Sequence, residues 1–165
     1  MVTMAVHTIE TLSSAPNWVS LRVPCQLENV DAVLDVLEPR DTLLNPKKHD
    51  EMCTAVREIL MNAIEHGGMN NPELFVHLTC IKTHDAVMVW IRDPGPGFRP
   101  DNLKHAAIGN PPDGTNLEHA EIREAQGMRP GGFGIFMARR MVDDLVYNQS
   151  GNEVLLVKKI QIQAK

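Results

Sequence analysis

The chain has no surplus of basic residues. Sixteen lysines and arginines stand against 21 aspartates and glutamates, giving a formal net charge of −5 and a pI near 5.8. Without that surplus there is little to neutralise the phosphates of a polynucleotide or an anionic bilayer, so general nucleic-acid and membrane-surface binding are set aside. A local cationic pocket is not excluded. No apolar run approaches the roughly 18 residues of a membrane span. Cys25, Cys53 and Cys80 are scattered without a C-x-x-C pair, and an odd count at such spacing points to reduced thiols. The seven histidines show neither H-E-x-x-H nor a paired His/Cys spacing, which argues against zinc. The amino terminus lacks the basic-then-apolar pattern of a secretory signal. The expectation is a cytoplasmic protein. Internal repeats and low-complexity linkers are absent too, and 165 residues of ordinary globular composition are expected to form one domain.

What is present is organised around the stretch Lys47 to Gly68. At helical spacing, Met52, Val56, Ile59, Leu60 and Ala63 share one face. Thr54, Glu58, Asn62 and Glu65 share the other, with Glu58 and Asn62 one turn apart and pointing the same way. Gly67 suits the left-handed residue that ends a helix.

Around this helix the chain reads as alternating elements. Residues 1–17 have no useful period, end in the loop composition Ser13-Ser14-Ala15-Pro16, and read as an N-terminal extension before a domain spanning 18–165. Val19 to Pro24 alternates as a strand. A helix opens at Asn29 and is stopped by Pro39. Leu74 to Ile81 and Ala86 to Arg92 form a hairpin about His84-Asp85, delivering Asp93 at a strand end. From Phe98 to Pro130 the regular period is lost, which predicts a lid, with a capping-box start for a short helix over Asn116 to Glu124. Gly132 to Val142 is again helical, and Leu145 to Asn148 with Val154 to Ile162 close the chain as a hairpin. This order predicts an α/β (α+β) two-layer sandwich, a mixed sheet with helices on one face.

Three boxes then stand in sequence: Glu58-x-x-x-Asn62-Ala63-x-x-His66-Gly67, Asp93-x-Gly95-x-Gly97, and Gly131-Gly132-Phe133-Gly134-Ile135. In this order they resemble the N, G1 and G2 boxes of the GHKL ATPases, and within that superfamily the bacterial anti-sigma factor serine kinases. The resemblance covers roughly Val19 to Lys159. It implies the Bergerat ATP-binding fold, ATP and Mg²⁺ as cofactors, and a histidine kinase-like ATPase domain.

Each box has its own chemistry. An ionised carboxylate at Asp93 only accepts hydrogen bonds, so it suits the amino group of adenine and repels the carbonyl of guanine. The plainer reading of Asp93-Pro94-Gly95-Pro96-Gly97 is a turn. Gly95 and Gly97 would admit a nucleotide close to the backbone. The run Gly131, Gly132, Phe133 and Gly134 opens a helix, whose free N–H groups suit phosphate. It lacks the Lys-Ser/Thr of a P-loop, and alone it is also just a Gly-rich helix start. Arg129 either meets a terminal phosphate or is a solvated lid charge. Asn62 offers the oxygen that Mg²⁺ prefers, and the matching asparagine of the family holds the metal. Glu58 can take the proton of an attacking hydroxyl, as the matching glutamate of the family does. His66 either contacts phosphate or satisfies the helix end. Where the family shows Gly-Thr near the adenine, this chain has Gly151-Asn152, so Asn152 is the weaker match.

The resemblance implies a serine/threonine protein kinase that phosphorylates an anti-sigma-factor antagonist and sequesters a sigma factor, commonly as a homodimer. Two rivals are a non-catalytic nucleotide-gated binding module and a detached sensor histidine kinase catalytic domain. The chain has no room for the phosphoacceptor helix hairpin of the second. Glu58 separates the kinase from the first, which has no need of a carboxylate there.

Overall fold

In the computed structural model, which describes residues 7–37, 44–98 and 133–160, three hairpins build one sheet. Strands β1 (Glu10–Ala15) and β2 (Trp18–Pro24) turn at Pro16-Asn17. Strands β3 (Phe75–Lys82) and β4 (Ala86–Arg92) turn at Thr83–Asp85, and β5 (Asp144–Tyr147) pairs with β6 (Glu153–Lys159). The strand order is β1-β2-β3-β4-β6-β5. All five pairings are antiparallel, where the sequence predicts a mixed sheet. Hairpin connections this short permit only antiparallel neighbours, and the helical connections return the chain in the same sense.

The predicted two-layer α+β arrangement is borne out. Helices α1 (Asn29–Leu37), α2 (Pro46–Asn62) and α3 (Phe133–Met141) form the second layer. Leu21 and Val23 of β2, Val76 and Leu78 of β3, Val89 and Ile91 of β4, and Val154 and Leu156 of β6 all enter one core with them. The period-2 alternation read in these strands is the pleat placing every second side chain under the helices.

Helix α2 starts as its sequence dictates. Asn45 caps it by accepting the Lys48 N–H at 2.9 Å, and Pro46 occupies the first turn, where its missing N–H costs nothing. Met52, Val56, Ile59, Leu60 and Ala63 are buried, as the helical spacing predicts. The end of the helix differs from expectation. Ala63–Gly67 is a single π turn, with the Gly68 N–H reaching back to the Ala63 carbonyl at 2.9 Å. Gly67 is not the left-handed cap. Met69 (φ 55°) and Asn70 (φ 52°) carry the left-handed conformation instead. The reason for glycine at 67 is a close approach described below.

Strand β1 lies within the stretch read as an extension. It pairs along the edge of the sheet with every residue exposed, and Arg22 meets Glu10 at 3.1 Å across the pair. No side chain of β1 enters the core, so no apolar alternation marks it. The predicted lid and the short helix inside it fall, apart from Phe98, outside the described residues.

Candidate functional site

One end of the sheet, the end of α2 and the start of α3 converge. Asp93 follows β4 on the helix-facing side, continuing the line of Val89 and Ile91. Its backbone N–H donates to the Asn152 carbonyl at 2.9 Å, which ties the β4 end to the β5–β6 turn. Its Oδ1 accepts the Gly95 N–H at 2.8 Å. No described residue donates to its second oxygen. Burial pushes the Asp93 carboxyl above the usual carboxylate range, and the Gly95 N–H partly offsets this.

Two glycines let the chain close on this carboxyl. A β-carbon at Gly67 would overlap the Asp93 carboxyl group. One at Gly95 would lie 2.9 Å from both Cα and the carbonyl oxygen of Gly67. The π turn widens the helix end just where it meets the Asp93 loop, and such insertions are frequent at functional sites. Gly97 (φ 77°) and Gly151 (φ 74°) stand at the contact of the Asp93 loop with the β5–β6 turn. A side chain at Gly97 would run into the Ser150 carbonyl.

The second half of the site is a helix–helix contact. A methyl group at Gly134 would lie 2.7 Å from Glu58 Oε2 and 3.6 Å from Asn62 Nδ2. The first turn of α3 is therefore seated on the carboxylate and carboxamide that share one face of α2. Both side chains are half-buried. The free N–H groups of a helix start and a carboxylate are thus brought to one place. Phe133 begins α3 and is half-buried, whereas His66 is exposed on the π turn.

The structure thus gathers Glu58, Asn62 and Gly134 at one contact and Asp93, Gly95 and Gly67 at another. Asn152 reaches the second through its backbone, while its side-chain oxygen accepts from Asn148 Nδ2 at 2.9 Å inside the turn. Arg129, Gly131 and Gly132 lie outside the described residues.

The sequence reading missed two neighbours of Asp93, and a ring packed on one of them. Cys25 packs its thiol against Gly68, and burial, then the Asp93 charge, raises its pKa to about 11. That makes it inert rather than nucleophilic. Burial and the Asp93 charge also push the Tyr147 hydroxyl up. Phe98 meets Tyr147 edge to face, with ring centroids 4.9 Å apart. Tyr147 was readable as an inward residue of β5, in phase with Leu145, but nothing in its local sequence tied it to Asp93.

Comparison with known proteins agrees with the fold. The family model described as histidine kinase-like ATPase domain matches residues 23–158. The chain is also similar to the serine-protein kinase RsbW of Oceanobacillus iheyensis, 26% identical over 112 residues. That match takes in 67% of this chain and spans 65% of the relative's length.

Proposed function

The chain belongs to the histidine kinase-like ATPase domain family, and from that premise we propose that it is an ATP-dependent protein kinase that phosphorylates a serine or threonine of an anti-sigma-factor antagonist and also sequesters a sigma factor. The protein-kinase part is supported by the similarity to a relative named as a serine-protein kinase. The observation that carries the reading is the seating of Gly134 on Glu58 and Asn62, which brings a carboxylate, a carboxamide and a helix amino terminus together.

The residues fit the groups the reaction needs. The second Asp93 oxygen would accept from the amino group of adenine, and neither Gly67 nor Gly95 puts a side chain over that carboxyl. Among the described residues no three of His, Cys, Asp and Glu form a metal cluster. A magnesium ion here would be held by the Asn62 side-chain oxygen together with phosphates and water, which suits a cation that dehydrates reluctantly. When bound, ATP would supply the phosphoryl group and the ion would neutralise its charge. Glu58 accepts the proton of the acceptor hydroxyl at its carboxylate. The first turn of α3 offers N–H groups to the anionic side of the site.

The test is transfer of labelled phosphate from ATP to a candidate antagonist, measured beside ATP affinity in the parent and in Asn62→Ala. The reading expects transfer by the parent, and loss of both Mg-ATP binding and transfer in the variant. Parental affinity and transfer in Asn62→Ala would contradict it.

A further inference from the structure

The far end of α3 is held by a part-buried ion pair that the nucleotide reading does not use. Lys158 is 7% exposed, and it is the one charged residue in the core among those described. Its Nζ lies 2.6 Å from Glu51 Oε2 of α2 and donates to the carbonyl of Met141, the last residue of α3. An ammonium at that position meets the negative end of the α3 dipole. Two further bonds brace the same corner. Lys48 Nζ donates to the Lys159 carbonyl at 2.7 Å, and the Lys159 N–H donates to Asp143 Oδ2 at 2.6 Å.

The spacing links this corner to the site. Glu51 stands seven positions before Glu58 on α2, and Gly134 stands seven positions before Met141 on α3. Seven helical residues span about 10.5 Å. The two helices run antiparallel, joined at one end through Lys158 between Glu51 and Met141, and at the other by Gly134 on Glu58. Among the described residues the buried side chains of α3 are the apolar Ile135 and Ala138, and apolar contacts are non-directional. The Lys158 end of the pair is enclosed and the Glu51 end is 30% exposed, and a polar pair of fixed geometry specifies register where apolar packing does not.

We propose that Lys158 and Glu51 are positioning residues for phosphoryl transfer: their ion pair fixes the axial register of α3 on α2, and with it the placement of Gly134 and the α3 amino terminus against Glu58 and Asn62. The transfer half of this inference rests on the kinase reading above; the register half does not. A misplacement of about 1 Å at a reacting centre costs up to about 10²-fold in rate.

The experiment uses the full chain carrying Lys158→Met, with Glu51→Gln as the milder variant should the first fail to fold. The Gly134 amide resonance of ¹⁵N-labelled protein reports the register without any activity, seven helical residues (about 10 Å) from the Met141 end that Lys158 holds. It is expected to shift. The kcat of transfer per folded molecule is expected to fall about 10–100-fold, whatever the loss in urea midpoint from leaving Glu51 without its partner. The double variant Lys158→Met/Glu51→Gln is expected to transfer as slowly as Lys158→Met alone, because the pair acts as a unit. A merely structural role would lower the midpoint and leave kcat per folded molecule unchanged. A Gly134 resonance at its parental position in the folded variant overturns the proposal, as does an unchanged kcat. A parent that transfers no phosphate overturns the kinase reading instead, and the Gly134 resonance then still decides the register.

Discussion

Gly67 lies so close to Asp93 that a β-carbon at position 67 would overlap the carboxyl group. The end of α2 and the end of β4 therefore determine each other, and the carboxylate proposed to recognise adenine is positioned by a residue that has no side chain. Gly67→Ala is expected to push the carboxyl out of place and weaken ATP binding by about tenfold or more, the scale of one buried hydrogen bond lost. Calorimetry reads the affinity, and circular dichroism checks the fold. Parental affinity in a folded Gly67→Ala protein would show that this contact does not set the carboxylate.

Asp93 is expected to act against stability while serving recognition. Its carboxyl is held above its ordinary value by burial, with the Gly95 N–H pulling the other way. The folded chain therefore binds that proton more tightly than the unfolded chain does. The resulting stability is full below the ordinary aspartate value and is lost as pH rises through the raised one. Asp93→Asn removes the charge and is expected to be at least as stable as the parent in urea at neutral pH. It is also expected to bind ATP more weakly by about 1–3 kcal/mol. The parent itself is expected to bind ATP and ADP in preference to GTP, and equal ATP and GTP affinity in calorimetry would rule out the role given to Asp93.

Glu51 has the opposite sign. The hydrogen bond from Lys158, then the nearby lysine charges, hold its carboxyl below the usual range against a smaller desolvation effect. Its contribution to stability is therefore present above the ordinary glutamate value and is lost as pH falls through the lowered one. Urea midpoints across acid pH are expected to fall less steeply in Glu51→Gln than in the parent. Parallel profiles would show that the pair is not felt in the folding equilibrium.

Much of the fold was legible where side chains alternate between core and solvent. Val87, Val89 and Ile91 announced β4, and Met52, Val56, Ile59 and Leu60 announced the buried face of α2. Strand β1 was illegible because all its residues are exposed and its pairing is a backbone property. The π turn was illegible because one extra residue per turn leaves no mark in a short apolar pattern, and Gly67 satisfied a simpler explanation. Lys158 continues the inward phase of Val154 and Leu156, but a lysine in such a phase reads as the end of a strand until Glu51 and the Met141 carbonyl are seen beside it. The site residues were read from three boxes. What the sequence withheld is that Gly134 sits on Glu58, a contact between residues 76 positions apart.

Glu58 decides between a kinase and a nucleotide-gated binding module. It shares a face with Asn62 and touches the start of α3, yet its proposed role is with the acceptor hydroxyl and not with the nucleotide. Glu58→Gln keeps the shape and removes the base. The direct measurement is labelled-phosphate transfer to a serine of an antagonist protein, with ATP affinity determined in parallel. The account predicts nearly parental affinity and transfer slowed by about 10²–10⁴-fold, or roughly 3–5 kcal/mol of barrier. Transfer by Glu58→Gln as fast as by the parent would contradict it.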